Sequence, residues 1–426
     1  SIFPSDRFVS FWWWFHYIVD LPVRSIRIFL AFDHPKKIHT NMARMRNRNV
    51  VLKTESIKRR CTSNNYIRFK VGGMASSGKS GSISVVLGTM TFGWNKASET
   101  CGDGISQAML DTFVQSSDKH VEVDTAFLYS GGETENIIGR LLPNTTNAGR
   151  LEIATKAAPW GNLIKGTGGV HGASGGAGGL SPECLRMQVE TSLQRMGTKR
   201  VHTLYLHAPD AETPLKASLA EVDKLHKEGK FTELGLSNFS AWEIVHCWHL
   251  CHANGFVQPT VYQGMYNAIT RQVEAEVFPA CKELGIRFLC YNPLAAGILT
   301  GKHDFSKAPS AGRFKDNSMY MARYWKKEYF EALADVQEAC LAANEPNLAS
   351  VSLRWLKHHS KLDAKAGDGI IIGSSSVKHL VENLKACDEG NPLANSIVEA
   401  LENAWKVCEP VCPLYFRGHS KQTGSL

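Results

Sequence analysis

The sequence predicts an α/β fold, a single-domain (β/α)8 TIM barrel carrying a disordered basic N-terminal extension. From Ile83 onward, short apolar runs rich in β-formers alternate with amphipathic helical stretches, and there are eight such runs. Most are apolar without clean alternation, as parallel strands buried on both faces are. The structural alternative, an open doubly wound sheet, lacks its G-x-G-x-x-G fingerprint after the first run.

The strands expected in order are Ile83–Gly88, Val121–Thr125, Leu151–Thr155, Val201–Leu206, Glu233–Ser237, Thr260–Gln263, Arg287–Tyr291 and Gly369–Gly373. Helix punctuation falls between them. Ser181 and Pro182 open a helix with Leu185, Val189, Leu193 and Met196 on one face. Thr213-Pro214 opens another, with Leu215, Leu219, Val222 and Leu225 inward and Gly229 at its end. Ser240-Ala-Trp-Glu243 reads as a capping box. Gly285 closes the helix before the seventh strand, and Ser376 opens a late helix bearing Val377, Leu380, Val381 and Leu384. Eight such units over residues 82–417 fit one barrel with insertions, followed by a tail over 418–426.

Composition sets outer bounds. With 43% hydrophobic and 21% charged residues, there is ample material for a packed core. The 11 cysteines are scattered, with no C-x-x-C pair, which favours free thiols in a reducing compartment. Of the net charge of +8, residues 1–73 hold 14 basic against 4 acidic groups, leaving 34 against 36 on the remainder. A nucleic-acid footprint on the folded body is thereby disfavoured.

Residues 1–81 read as an extension, either absent from the mature protein or a targeting leader. The aromatic run Phe8–Val23 is too short and too polar for a membrane span. The Arg-rich stretch from Arg24 to Lys70 resembles a mitochondrial transit segment without a clear amphipathic helix. Gly73–Ser80 matches G-x-x-x-x-G-K-[ST], but a strand pattern follows where a phosphate-binding loop needs a helix, so the match is read as chance.

Reactive groups in such barrels gather at the C-terminal strand ends. Asp124 ends the second strand and Tyr129 follows it, Lys156 follows the third, and His207 the fourth. A cation at a buried strand end needs a partner, and Asp124 on the neighbouring strand is placed to supply one. A cation beside Tyr129 is expected to lower a phenol pKa of ~10. The phenol can then donate a proton to a carbonyl oxygen, with His207 orienting that oxygen. Each residue alone has a bland explanation as a cap, surface ion pair, rim histidine or loop anchor. Four at successive strand ends, suited to one reaction, are harder to dismiss.

These residues sit in longer stretches: LGTMTFG (88–94), DTAFLYSGGETENIIGRLL (124–142), ATKAAPW (154–160), LYLHAPD (204–210), GKFTELGLSNFSAWE (229–243), PTVYQGMYNAITRQVE (259–274), YNPLAAGILTGK (291–302), GSSS (373–376) and CPLYFR (412–417). Together they resemble the aldo-keto reductases, nearest to the aflatoxin aldehyde reductase branch. The resemblance implies a catalytic tetrad of Asp124, Tyr129, Lys156 and His207, with Tyr129 as proton donor and NADPH bound in extended form. It implies that Ser237, Asn238 and Gln263 hold the nicotinamide carboxamide and that Tyr291 stacks on the ring. The loop from Asn292 to Lys302, with Pro293, Leu294, Gly297 and Gly301, would wrap the pyrophosphate. Ser375, Ser376, Lys378, Glu382 and Asn383 would hold the adenosine end, and Arg313 and Arg417 would face the substrate. It further implies a small-molecule aldehyde substrate, a homodimer and a cytoplasmic location, mitochondrial if the basic leader is a transit segment. A regulatory β-subunit of a voltage-gated potassium channel, which shares the barrel and tetrad, is the rival reading.

Two segments depart from that pattern. Gly161–Gly179 is longer and richer in glycine than the family's loop and is expected to be mobile with no binding role. His246–His252 (HCWHLCH) invites a zinc reading, but on a helix Cys247 and Cys251 share a face while His249 points elsewhere, which favours core packing.

Overall fold

Eight parallel strands close into a barrel in sequence order, β1 pairing with both β2 and β8 in a computed structural model. The structure describes residues 81–94, 100–161, 178–307, 309, 312–315, 317–388 and 390–418. The expectations placed on the N-terminal extension, on Gly73–Ser80 and on most of the glycine-rich segment lie outside the described residues.

The strands are β1 (Ser84–Gly88), β2 (Val121–Asp124), β3 (Leu151–Ala157), β4 (Val201–Leu206), β5 (Phe231–Ser237), β6 (Pro259–Met265), β7 (Arg287–Tyr291) and β8 (Gly369–Gly373). Every expected strand is present. The largest differences are at β3, β5 and β6, each of which runs two residues further at one end. Helices α1 (Asp103–Gln115), α2 (Glu133–Leu141), α3 (Pro182–Met196), α4 (Leu215–Lys227), α5 (Ala241–Asn254) and α6 (Val273–Leu284) follow the early strands. Between β7 and β8 lie α7 (Ser318–Tyr324), α8 (Lys327–Ala342) and α9 (Leu348–His358), and α10 (Val377–Asp388) and α11 (Asn395–Cys408) close the chain.

The helix punctuation acts largely as expected. Ser240 and Glu243 form the capping box, and Gly285 ends α6 in the left-handed region at φ 68°. Ser181 precedes α3, but its hydroxyl makes no capping bond. Val381 is an exception to the expected inward face of α10 and is exposed, because residues 377, 380 and 384 already fill the stripe toward the barrel. Cys247 and Cys251 are fully buried, where burial pushes both thiols up, in keeping with the core-packing reading of HCWHLCH.

The side-chain period of two sorts the barrel interior into layers. At the N-terminal end, Arg287 forms paired bonds to Glu122 at 2.8 Å each and a third to Glu233 at 3.0 Å. Val86, Ala154, Tyr205, Val261, Leu289 and Ile371 form an apolar middle layer, separate from the larger core between strands and helices. Gly235 belongs at that level, since any side chain there would collide with the Tyr205 ring. Two residues further along each strand, the inward positions are Asp124, Lys156, Ser237, Gln263 and Tyr291, with His207 just past the end of β4. The alternation that builds the core therefore also delivers polar groups to one end. No described helix is long and apolar enough to cross a membrane.

Candidate active site

At the C-terminal end of the barrel, the Lys156 ammonium donates to both Asp124 oxygens at 2.6 and 2.7 Å and to the Thr125 carbonyl at 2.8 Å. Its third neighbour in line is the Tyr129 hydroxyl, at 3.2 Å. Gln263 donates to the same carboxylate at 2.8 Å. Lys156 and Asp124 are buried, 1% and 3% exposed, so each is the partner that makes the other's burial tolerable. Tyr129 reaches this point because the chain after β2 turns through a tight loop. There Phe127 donates its backbone N–H to the Lys156 carbonyl and Ser130 and Gly131 take left-handed conformations. The His207 ring stands edge-on to Tyr129, with centroids 6.0 Å apart and planes at 79°.

The electrostatics differ from the sequence expectation at one point. Lys156 was expected to lower the Tyr129 pKa, but the phenol is held well above its usual value. Burial is the largest cause, followed by the Asp124 carboxylate, against which Arg313 acts in the opposite direction. Burial likewise pushes the Lys156 ammonium down, partly offset by Asp124. His207 is pushed down to about 3 by burial and by the Lys156 charge, so its imidazole is neutral across the physiological range.

Asp124, Tyr129, His207 and Gln263 line a cavity of about 760 Å³, with Lys156 buried behind them. On one side Asn238, in the left-handed region at φ 60°, is locked by three bonds. Its amide donates to the His207 carbonyl at 2.8 Å and to Ser237 Oγ at 3.0 Å, and its oxygen accepts from the Tyr291 hydroxyl at 2.6 Å. Beyond β7 the chain bends through left-handed Asn292, Ala295 and Ala296, bringing Asn292, Pro293, Leu294, Gly297 and Lys302 onto the cavity wall. Among the described residues, Asn292 Nδ2 is buried there without a hydrogen-bond partner. At the far end Ser375, Glu382 and Asn383 line the cavity.

Three expected residues do not reach the wall. Gly301 sits behind the loop against Gln337. Ser376 spends its hydroxyl on the backbone N–H of His379, capping α10. Lys378 is 82% exposed and 4.0 Å from Glu382, one helical step from His379, which does face the cavity.

Arg313 and Arg417 both line the mouth and form no ion pair among the described residues. Arg313 donates to the Tyr320 hydroxyl at 3.2 Å, and Arg417 lies 5.8 Å from the Trp160 ring centroid. The Arg417 backbone N–H is fixed on the Asn238 carbonyl at 2.9 Å. Sequence reasoning passed over Tyr320 and Arg323, which share this wall, Arg323 lying 5.7 Å from the Tyr320 ring. The available signal was the aromatic and arginine-bearing run SMYMARYW (318–325), a few residues after Arg313.

The model of the aldo/keto reductase family matches residues 84–406. The chain is 44% identical over 354 residues to aflatoxin B1 aldehyde reductase member 2 of Mus musculus, covering 80% of this chain and 90% of that one. It is also 44% identical to aldo-keto reductase family 7 member A3 of Homo sapiens, over 78% of this chain and 96% of the relative. An aldo-keto reductase of Pseudocercospora fijiensis (strain CIRAD86) is 35% identical over 72% of this chain and all of its own length. With eight parallel strands in a closed barrel and a family match spanning nearly all of it, this chain is an oxidoreductase of the aldo/keto reductase family.

Proposed function

We propose that this chain reduces aldehydes or dicarbonyls to alcohols with NADPH, and that Tyr129 supplies the proton. The observation that carries this reading is the contact of Tyr129 Oη with Lys156 Nζ at the cavity floor, beside a neutral His207. A carbonyl oxygen seated there meets two donors, the protonated phenol and one imidazole N–H. As the proton leaves Tyr129, negative charge develops on the phenol oxygen where the Lys156 ammonium already sits, which stabilises the charge without reorganisation. Asp124 keeps that ammonium in place, and its own carboxylate is held by Gln263.

The residues present suit an extended dinucleotide. Tyr291 offers a ring face near the reacting end, and Asn292 Nδ2 is an unpartnered buried donor on the wall between it and the residues of α10. Ser237, Asn238, Gln263 and Tyr291 would hold the reacting ring, and Ser375, Glu382 and Asn383 the far end. When bound, NADPH supplies hydride to the carbonyl carbon. Arg313 and Arg417 favour a substrate with a carboxylate, the succinic semialdehyde type, because a guanidinium fork pairs with it in two parallel bonds. The aflatoxin aldehyde reductases it resembles support the aldehyde class.

NADPH absorbance followed with a panel of neutral and carboxylated aldehydes tests this. One alcohol formed per NADPH consumed is expected. A folded chain that binds NADPH without turning over any of the panel overturns it and favours the channel-subunit reading. Arg313→Met is expected to raise KM for a carboxylated aldehyde about tenfold while leaving a neutral aldehyde within about twofold. Equal effects on both substrates remove the carboxylate role.

A further inference from the structure

Behind the Tyr129–Lys156 contact lies a second ion pair, Arg195 to Glu135, at 3.0 Å. Glu135 is fully buried and the Arg195 side chain is only 13% exposed. The two come from different helices, Arg195 from the last turn of α3 and Glu135 from the first turn of α2. Neither reaches the cavity wall. A buried ion pair is often no more stabilising than apolar side chains of the same volume, so packing alone accounts poorly for this one.

Its further bonds converge on the two reacting groups. Arg195 Nη1 also donates to the Phe127 carbonyl at 3.0 Å, and its guanidinium lies 4.5 Å over the Phe127 ring. Phe127 is two residues before Tyr129. The other Glu135 oxygen accepts the Thr155 hydroxyl at 2.6 Å, and Thr155 immediately precedes Lys156. On the far side of the Tyr129 loop, Gly132 has φ 97°, and a Cβ there would strike the guanidinium at 2.5 Å. Arg195 therefore bonds the loop before Tyr129 and packs closely against it after Tyr129, while Glu135 ties it to the strand that carries Lys156.

We propose that Arg195 and Glu135 are positioning residues for the reduction, holding the Tyr129 hydroxyl at the Lys156 ammonium. The proposal rests on Tyr129 being the proton donor. Neither residue touches substrate or cofactor, so their loss acts on kcat and not on binding. A misplacement on the order of 1 Å at a reacting group costs up to about a hundredfold in rate.

The test uses the full chain and an aldehyde that it reduces, with NADPH affinity measured by fluorescence quenching and folding by circular dichroism. Glu135→Gln keeps the shape and an acceptor for Thr155 but removes the ion pair. Arg195→Lys keeps the charge but not the planar fork, and Arg195→Met removes both. A fall in kcat of about ten- to a hundredfold is expected in Glu135→Gln and Arg195→Met, with NADPH affinity and aldehyde KM within about twofold. Arg195→Lys should recover part of the loss. In a Tyr129→Phe background, the same substitutions should change the small residual rate by less than about twofold, because the group they position is gone.

Equal fold losses in both backgrounds, a loss confined to KM, or folded variants with unchanged kcat overturn the proposal. If Arg195→Met does not fold, Glu135→Gln and Arg195→Lys carry the same comparison. Tyr129→Phe that keeps full turnover removes the proton-donor reading itself. A collapsed Tyr129→Phe beside an undiminished Glu135→Gln removes only the positioning role.

Discussion

Lys156 and Asp124 stabilise one another only as a pair. Replacing Lys156 with Met leaves the Asp124 carboxylate buried with Gln263 and no cation, and is expected to cost about 3 kcal/mol of stability, read as a lower urea midpoint at unchanged m. His207 brings a pH dependence of definite sign. Its folded pKa is pushed from 6.5 down to about 3, so below pH 6.5 the unfolded chain binds a proton that the folded chain does not. Stability is therefore lost as pH falls from about 6.5 toward 3, by on the order of a few kcal/mol at most from this residue, which is only partly buried. His207→Gln should flatten that limb in denaturant titrations at several pH values, and an unchanged slope contradicts a neutral imidazole at His207 in the folded chain. The four strand-end residues were legible in the sequence because each interrupts or ends an apolar run. Arg195 and Glu135 were not. A basic residue in a helix's last turn and an acidic one in the first turn are what the helix dipole favours on any surface, so only the fold reveals their burial.

At the level of elements, the strands were readable because apolar β-rich runs bounded by caps and glycines leave little choice of type. Their ends were less so, since β3 continues through Lys156 and Ala157, whose burial beneath the site depends on neighbours far away in sequence. Local chemistry proved a good guide where it completes its own bonds. The Ser240–Glu243 box stands two residues after Asn238 and starts α5 immediately beyond the site. Ser240→Ala is expected to destabilise the fold by about 1 kcal/mol, measured by chemical denaturation, with NADPH affinity little changed. A loss under about 0.3 kcal/mol would mean that the cap contributes nothing in solution. At Ser181 the hydroxyl is buried without a hydrogen-bond partner among the described residues, so sequence alone overstates the cap.

Across the whole molecule, the barrel separates structure from chemistry by depth. An ionic layer of Arg287, Glu122 and Glu233 closes one end, an apolar layer fills the middle, and the polar groups of the candidate site occupy the other end. The barrel and its order followed from strand count, and the placement of polar residues pointed to the end that holds the candidate site. The mouth followed only in part: Arg313 and Arg417 were expected there from the family resemblance, whereas Tyr320 and Arg323 come from an insertion whose return to this wall no local pattern encodes. The charge asymmetry, with a nearly neutral body after residue 73, together with the family match over 84–406, leads us to propose residues 82–417 as the catalytic body. A chain beginning at residue 82 is expected to keep kcat within about twofold and to unfold in one transition. Loss of activity on that trimming would assign the extension a part in the reductase.

The most direct single measurement is NADPH consumption with an aldehyde, compared between this chain and Tyr129→Phe at equal NADPH saturation. A fall in kcat of about a hundredfold or more, with NADPH affinity unchanged, is the expected result. A Tyr129→Phe chain that reduces the aldehyde at the parental rate would contradict Tyr129 as the proton source, and with it the role given to Lys156 and Asp124 beneath it.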